Sequence, residues 1–231
     1  MKLAAMQPYF FPYLGYYQLA AGVDRFVFLD DAAFITRGFI HRNQVLLDGR
    51  AYRFTLPVAH ASQNRSIAEH RFAGGPARLL EQLRHGYARA PYFQAIYAMV
   101  ESVWTVGNGN VARVCAASIR AVFDYLGLPL RSDDASSLAV PGRGQDRILA
   151  LCHQFDARAY HNPPGGRELY AADAFRAAGV QLHFLQPALP PYPQGHDLPF
   201  VAGLSMIDVL MHNRPEAVRQ MLAAATLEQA A

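Results

Sequence analysis

The side chains best suited to chemistry fall in a few short segments. The first is Gln7-Pro8-Tyr9-Phe10-Phe11-Pro12-Tyr13-Leu14-Gly15-Tyr16-Tyr17, where six aromatics crowd a stretch holding two prolines. Aromatic faces stack on sugars and bases, and the prolines hold the segment in shape before a ligand arrives. Gln7, Tyr9 and Tyr13 have polar tips that need partners when buried, so they are candidates to position a substrate, whereas Phe10, Phe11 and Tyr17 read equally well as core. Asp30-Asp31 offers metal ligation, a general base or an acceptor for ribose hydroxyls. Neighbours at a strand end point to opposite sides, so one of the two faces a site at most and the other caps a turn or helix. Arg42-Asn43 supplies a forked cation and an amide suited to an anionic ligand.

Later segments add to this set. Gly144-Gln145-Asp146-Arg147 opens a helix, where free backbone N–H groups and the helix dipole favour an anion. Gln145 and Arg147 are candidate contacts there, and Asp146 is either an acid–base group or a favourable first-turn charge. Asn162-Pro163-Pro164-Gly165-Gly166 lies at the carboxyl end of an expected strand, where Asn162, Gly165 and Gly166 let the backbone approach a phosphate. Ser205 is a candidate helix N-cap and substrate contact. Asp208 is the alternative to Asp31 as base, with Arg42 and Arg147 holding the anionic group.

Composition excludes several mechanisms. Lys2 is the only lysine, so neither a phosphate-binding loop with its lysine nor an internal Schiff base is available, while arginine keeps anion recognition open. None of the nine histidines has close metal spacing, there is no Gly-x-Ser-x-Gly, and Cys115 and Cys152 fall on apolar helix faces, so no metal site is expected. The net charge of +3 is scattered, without the footprint of a nucleic-acid or membrane binder. The opening apolar run ends at Gln7-Pro8, too short for a secretory segment or a membrane span, so a cytoplasmic location is expected. No segment specifies a cofactor or an oligomeric state.

The elements that must position these residues follow from periodicity. Residues 3–6 read as a buried strand, 7–13 as a loop, 15–21 as a helical turn and 26–29 as a second strand. In open α/β sheets ligands sit at the carboxyl ends of such strands. Asp48-Gly49 between 43–47 and 52–56 predicts a hairpin. Helices are expected from Pro76, over 92–104 and over 111–126, with Gly127 as a left-handed cap. The polar stretch 131–144 reads as a hinge or lid, 145–155 as a helix, 157–161 and 180–185 as strands around a short helix at 173–178, 186–193 as extended, and 205–211 as the final helix. With 52% hydrophobic and 17% charged residues over 231 positions, one domain spanning 1–231 is expected. Its fold is α/β, a Rossmann-like three-layer sheet with mostly parallel strands and a helical middle section at about 76–127.

Taken in order, Met6 to Tyr16, Asp30-Asp31, Arg42-Asn43, Thr55-Leu56-Pro57-Val58, Gly144-Gln145-Asp146-Arg147, Tyr160 with Asn162 to Tyr170, and Leu204-Ser205-Met206-Ile207-Asp208-Val209-Leu210 resemble the signature of WbqC-like proteins over nearly the whole chain. That resemblance implies a role in O-antigen or related surface-polysaccharide assembly. It points to a transferase adding an aminoacyl or acyl group to a nucleotide-linked amino sugar, or to a non-catalytic sugar- or nucleotide-binding scaffold of a glycan assembly complex. The ligand would be a sugar or nucleotide sugar. His41 and His161 flank motif positions and lend no support to a histidine base. The opening strand, loop, glycine and helix also resemble the start of the nucleotidyltransferase and class I synthetase superfamily. Tyr16 stands where that superfamily has histidine, and its late lysine loop has no counterpart, so the likeness suits nucleotide binding but not its adenylyl transfer.

Overall fold

The structure is a computed structural model that describes residues 1–195 and 198–230. The chain opens with β1 (Lys2–Met6), passes through the aromatic loop into α1 (Leu14–Ala21), and returns to β2 (Arg25–Phe28) beside and parallel to β1. A hairpin of β3 (Arg42–Leu47) and β4 (Arg50–Thr55) follows. Asp48 and Gly49 close it at φ 50° and 71°, the positive values a two-residue hairpin turn requires. The helical middle consists of α2 (Ala77–Tyr87), α3 (Phe93–Gly107) and α4 (Val111–Tyr125), after which Gly127 takes φ 63°.

The stretch 131–144, expected to be a hinge or lid, is more ordered than that. It contains β5 (Ser132–Asp134) and α5 (Ala135–Leu138). Ser-Asp-Asp has little strand propensity, but β5 pairs in parallel with Phe26, Val27 and Phe28, and Arg25–Asp133 (2.8 Å) and Arg120–Asp134 (3.0 Å) ion pairs hold its carboxylates. Next come α6 (Gly144–Gln154), β6 (Ala159–Asn162), a 3-10 segment (Pro164–Leu169), α7 (Ala172–Ala177) and β7 (Gln181–Gln186). The helix expected to be last, α8 (Met206–His212), is followed by α9 (Pro215–Ala223) and by β8 (Thr226–Gln229), which pairs antiparallel with β7.

The sheet order is β5-β2-β1-β6-β7-β8, parallel except for β8. Strand alternation sorts its side chains into two layers. Leu3, Ala5, Val27, Tyr160, Leu182 and Phe184 pack with Ile148, Leu151 and Cys152 of α6 and Phe175 of α7. Ala4, Phe26, Phe28 and Leu185 belong to the larger cluster that includes α1, α8, α9 and the helical middle. Each fully buried Leu or Phe contributes roughly 1.5–3 kcal/mol to this arrangement. Helices on both faces of a mostly parallel sheet make a Rossmann-like three-layer fold.

Candidate functional site

Strand order reverses direction between β1 and β6, since the chain builds outward from β1 to β2 first and adds β6 on the other side later. Such a switch point is where open α/β sheets form a crevice. At this point β1 and β6 are registered only through Lys2↔Ala159 and Leu3↔Tyr160. Toward their carboxyl ends, at Met6 and Asn162, the two strands part. The Tyr160 hydroxyl donates to the Ala5 carbonyl at 3.3 Å, satisfying an acceptor on that edge.

A cleft of about 740 Å³ is lined by residues that follow β2, by the loop entering α6 and by Tyr170 beyond β6. Asp31 and Arg147 face each other in it. The guanidinium donates from Nη1 to Oδ1 at 2.9 Å and from Nη2 to Oδ2, a two-bond pair. Arg147 Nε is buried and has no hydrogen-bond partner among the described residues. No side chain caps α6, and Gly142 (φ 101°), Arg143 and Gly144 (φ 51°) line the cleft where that helix begins. Asp30, the other half of the acidic pair, is buried and accepts from the Ser136 N–H (2.9 Å) and hydroxyl (2.5 Å). The two aspartates sit in the turn after β2 rather than in the strand itself, and they divide, Asp31 lining the cleft and Asp30 holding α5.

A second group of the expected residues gathers under the aromatic loop. Phe11 sits at φ 40°, a costly value for a non-glycine residue. Its N–H donates to Ser118 Oγ at 3.0 Å, and its carbonyl accepts from Asn43 Nδ2 and Ser205 Oγ, each at 2.6 Å. Ser205 also caps α8 by accepting from the Ile207 N–H at 3.3 Å. Asp208 is fully buried on that helix and accepts from the hydroxyls of Tyr87 (2.6 Å) and Tyr192 (2.5 Å). Burial, followed by the Asp208 charge, pushes both phenols well above their ordinary range, so they remain donors. The early tyrosine loop and the late acidic helix are thus neighbours, joined by a Tyr13↔Ser205 bridge, but the Asp208 carboxylate points into protein rather than toward Asp31.

The remaining expected residues are placed as follows. The Gln7 carbonyl accepts from the Tyr16 hydroxyl at 3.0 Å at the exit of β1, and the Tyr9 ring lies 5.7 Å from that of Tyr16. Burial raises the phenols of Tyr9 and Tyr13. Arg42 Nε donates to the Gly38 carbonyl at 3.0 Å. Gln145 accepts from the Ala171 N–H at 2.6 Å and so ties α6 to the segment after β6, while Asp146 is exposed in the first turn of α6. Asn162 is buried, Gly166 lies against its amide, and Gly165 is exposed; 164–169 forms 3-10 turns rather than a free loop. His41 and His161 are 7% and 2% exposed, and burial, with Arg42 beside His41 and His183 beside His161, lowers each to about 4. Cys115 and Cys152 are buried thiols, raised by burial, Cys152 to about 12. Among the described residues no group of three or more His, Cys, Asp or Glu is placed to hold a metal ion.

Reading the sequence missed Asn64, Arg143 and Tyr170 as cleft residues, and Tyr87, Tyr192 and Ser118 as polar anchors. Tyr87 sits four residues after Leu83 and continues an apolar helix stripe, so spacing alone assigns it to the core. The polar run Ser62-Gln63-Asn64 was the one available signal for Asn64.

Comparison with known proteins finds a match between residues 7–220 and the model of the WbqC-like protein family. The chain is also similar to a Mycobacterium tuberculosis protein described as "Uncharacterized protein Rv1507c", 24% identical over 185 residues, which are 78% of this chain and 80% of that protein. No solved structure matches the chain.

Proposed function

The chain belongs to the WbqC-like protein family, matched over residues 7–220, and from that membership we propose that it is a transferase of bacterial surface-polysaccharide biosynthesis acting on a nucleotide-linked amino sugar. The observation that carries the reading is the Asp31–Arg147 pair beside the uncapped start of α6, in a cleft at the carboxyl ends of the strands. The first N–H groups of α6, with the Arg147 charge beside them, suit a diphosphate, and the half-buried Tyr170 offers a ring against which a base or sugar can stack. Asp31 would accept a proton from the sugar amine as that nitrogen attacks the carbonyl of an acyl or aminoacyl thioester or ester donor; the tetrahedral intermediate then collapses by breaking the carbonyl carbon's bond to the donor's sulfur or oxygen, and that leaving group takes the proton from Asp31. Asp208, whose oxygens are already bonded to two tyrosines, serves the fold in this scheme.

A non-catalytic nucleotide- or sugar-binding scaffold is the second reading. It is favoured by one observation: Arg147 engages both oxygens of Asp31 in the free cleft, so the acid is not poised over open space.

The test is calorimetric titration of nucleotide sugars into the wild type, Asp31→Asn and Arg147→Ala, alongside glycan analysis of a strain carrying each variant in place of the native gene. The transferase reading expects Asp31→Asn to bind nucleotide sugar but leave the glycan unmodified. Unchanged glycan in both variants overturns it, and nucleotide-sugar binding with glycan altered by Arg147→Ala but not by Asp31→Asn supports the scaffold.

A further inference from the structure

A second groove, of about 330 Å³, runs between β4 and the start of α2 and shares no lining residue with the Asp31 cleft. Consecutive residues Tyr52 to Pro57 line it, although successive side chains of a strand face opposite ways. Both parities can line one groove only if the groove follows the strand's edge.

The register shows what that edge offers. The two-residue turn makes Leu47 and Arg50 a hydrogen-bonded pair, and the alternation continues through Tyr52 and Phe54 to Leu56, whose N–H donates to the His41 carbonyl at 2.8 Å. Arg53 and Thr55 therefore point their N–H and C=O away from β3. One step further, the outward-facing positions are occupied: the Ala73 N–H donates to the Pro57 carbonyl at 2.8 Å and the Ala59 N–H to the Arg71 carbonyl at 2.9 Å. That partner segment leaves β4 at Gly74 and Gly75, where an added Cβ would meet nothing within 4 Å, and α2 then begins at Ala77. The ladder is left open at Arg53 and Thr55, with no hydrogen bond from another described residue to their backbone groups.

The charge around this edge has one sign. Arg53 and Arg78 line the groove, are exposed, and make no ion pair or hydrogen bond among the described residues. The first turn of α2 has no acidic residue and adds the positive end of its dipole. Gln82 donates to the Tyr52 hydroxyl at 3.1 Å and braces the two walls. Pairing with the same edge of a second copy would set arginine against arginine, which is unfavourable.

We propose that this groove docks an extended, acidic segment of a partner protein, which adds as a strand to β4 at Arg53 and Thr55 and places carboxylates on Arg53 and Arg78. Strand addition takes its affinity from main-chain hydrogen bonds and its selectivity from flanking side chains. The inference is independent of the reaction assigned to the Asp31 cleft.

The experiment is selection of random twelve-residue peptides displayed on phage against the full chain, followed by affinity measurement of the enriched synthetic peptides. The expected ligands are rich in Asp or Glu within β-prone sequence. Thr55→Pro removes an N–H that the native fold leaves unused and is tolerated at a strand edge. It should weaken binding by about tenfold or more, as should N-methylation of the peptide's pairing amides on the wild-type protein, a control that does not depend on the variant folding. Arg53→Glu with Arg78→Glu should turn the preference toward basic peptides. Failure to enrich any peptide, enrichment of neutral or basic ones, or equal affinity for amide and N-methyl peptides would overturn the proposal.

Discussion

Asn43 and Ser205 donate to one acceptor, the carbonyl oxygen of Phe11, each at 2.6 Å. Between them they hold the aromatic loop against the hairpin and α8 while Phe11 keeps its positive φ of 40°. Residues far apart in sequence thereby fix the segment that leaves the first strand.

Removal of either donor tests this. Asn43→Ala should destabilise the protein by about 1–3 kcal/mol, and Ser205→Ala by at least as much because it also uncaps α8. The double variant should fall short of the sum, since both donors serve one oxygen. Urea unfolding read by tryptophan fluorescence measures all three.

The two carboxylates Asp31 and Asp208 should separate in their effects. Asp208→Ala strands the hydroxyls of Tyr87 and Tyr192 in a buried site and should cost about 2–4 kcal/mol of stability. Asp31→Asn, which weakens a part-buried two-bond pair but keeps an oxygen to accept from Arg147, should cost about 1–2 kcal/mol, less than Asp208→Ala, and should act on ligand binding or turnover as well. Thermal unfolding of both variants, compared with nucleotide-sugar titration, decides the matter; equal destabilisation would contradict the division.

Gly166 and Asn162 make a tighter test of local packing. A Cβ at position 166 would lie 1.9 Å from Asn162 Nδ2, whereas one at Gly165 would meet nothing within 4 Å. Gly166→Ala should therefore destabilise by about 1–3 kcal/mol through overpacking, Gly165→Ala should be nearly silent, and Asn162→Ala should relieve much of the Gly166→Ala defect. Chemical denaturation of the two single variants and the double variant checks all three statements.

Acid should weaken the fold through His41 and His161. Both have folded values of about 4, below the usual histidine value of 6.5, because burial disfavours the charged ring. Between those limits the unfolded chain binds more protons, so stability rises with pH; it is fully present above about 6.5 and is lost as pH falls toward 4. Replacing both histidines by Asn should flatten the slope of unfolding free energy between pH 7 and pH 4.5, by roughly 1–3 kcal/mol per histidine.

Much of the scaffold was legible from local pattern. The β1, α1, β2 opening, the Asp48-Gly49 hairpin and the three middle helices each follow from periodicity and turn chemistry within a short window. The edge strands were not. Ser132–Asp134 and Thr226–Gln229 are short and polar, and they become strands only because Phe26–Phe28 and β7 present unpaired backbone to them. α9, opened by Pro215 after Arg214, lay just beyond the segment taken as the last helix. Near the candidate site, the helix start at Gly144 was readable. The partner of Asp31 was not, since both Arg42 and Arg147 had the right chemistry.

By itself the amino-acid sequence determined which residue types were on offer: arginine without lysine chemistry, an aromatic loop between two prolines, and acidic residues at a strand end and on a late helix. Only the tertiary structure decided that Arg147 meets Asp31 in an open cleft while Asp208 is sealed between Tyr87 and Tyr192. Local sequence sets backbone preference and side-chain character over a few residues. The surroundings of a carboxylate come from segments that the fold brings in from elsewhere in the chain, and no local pattern encodes them.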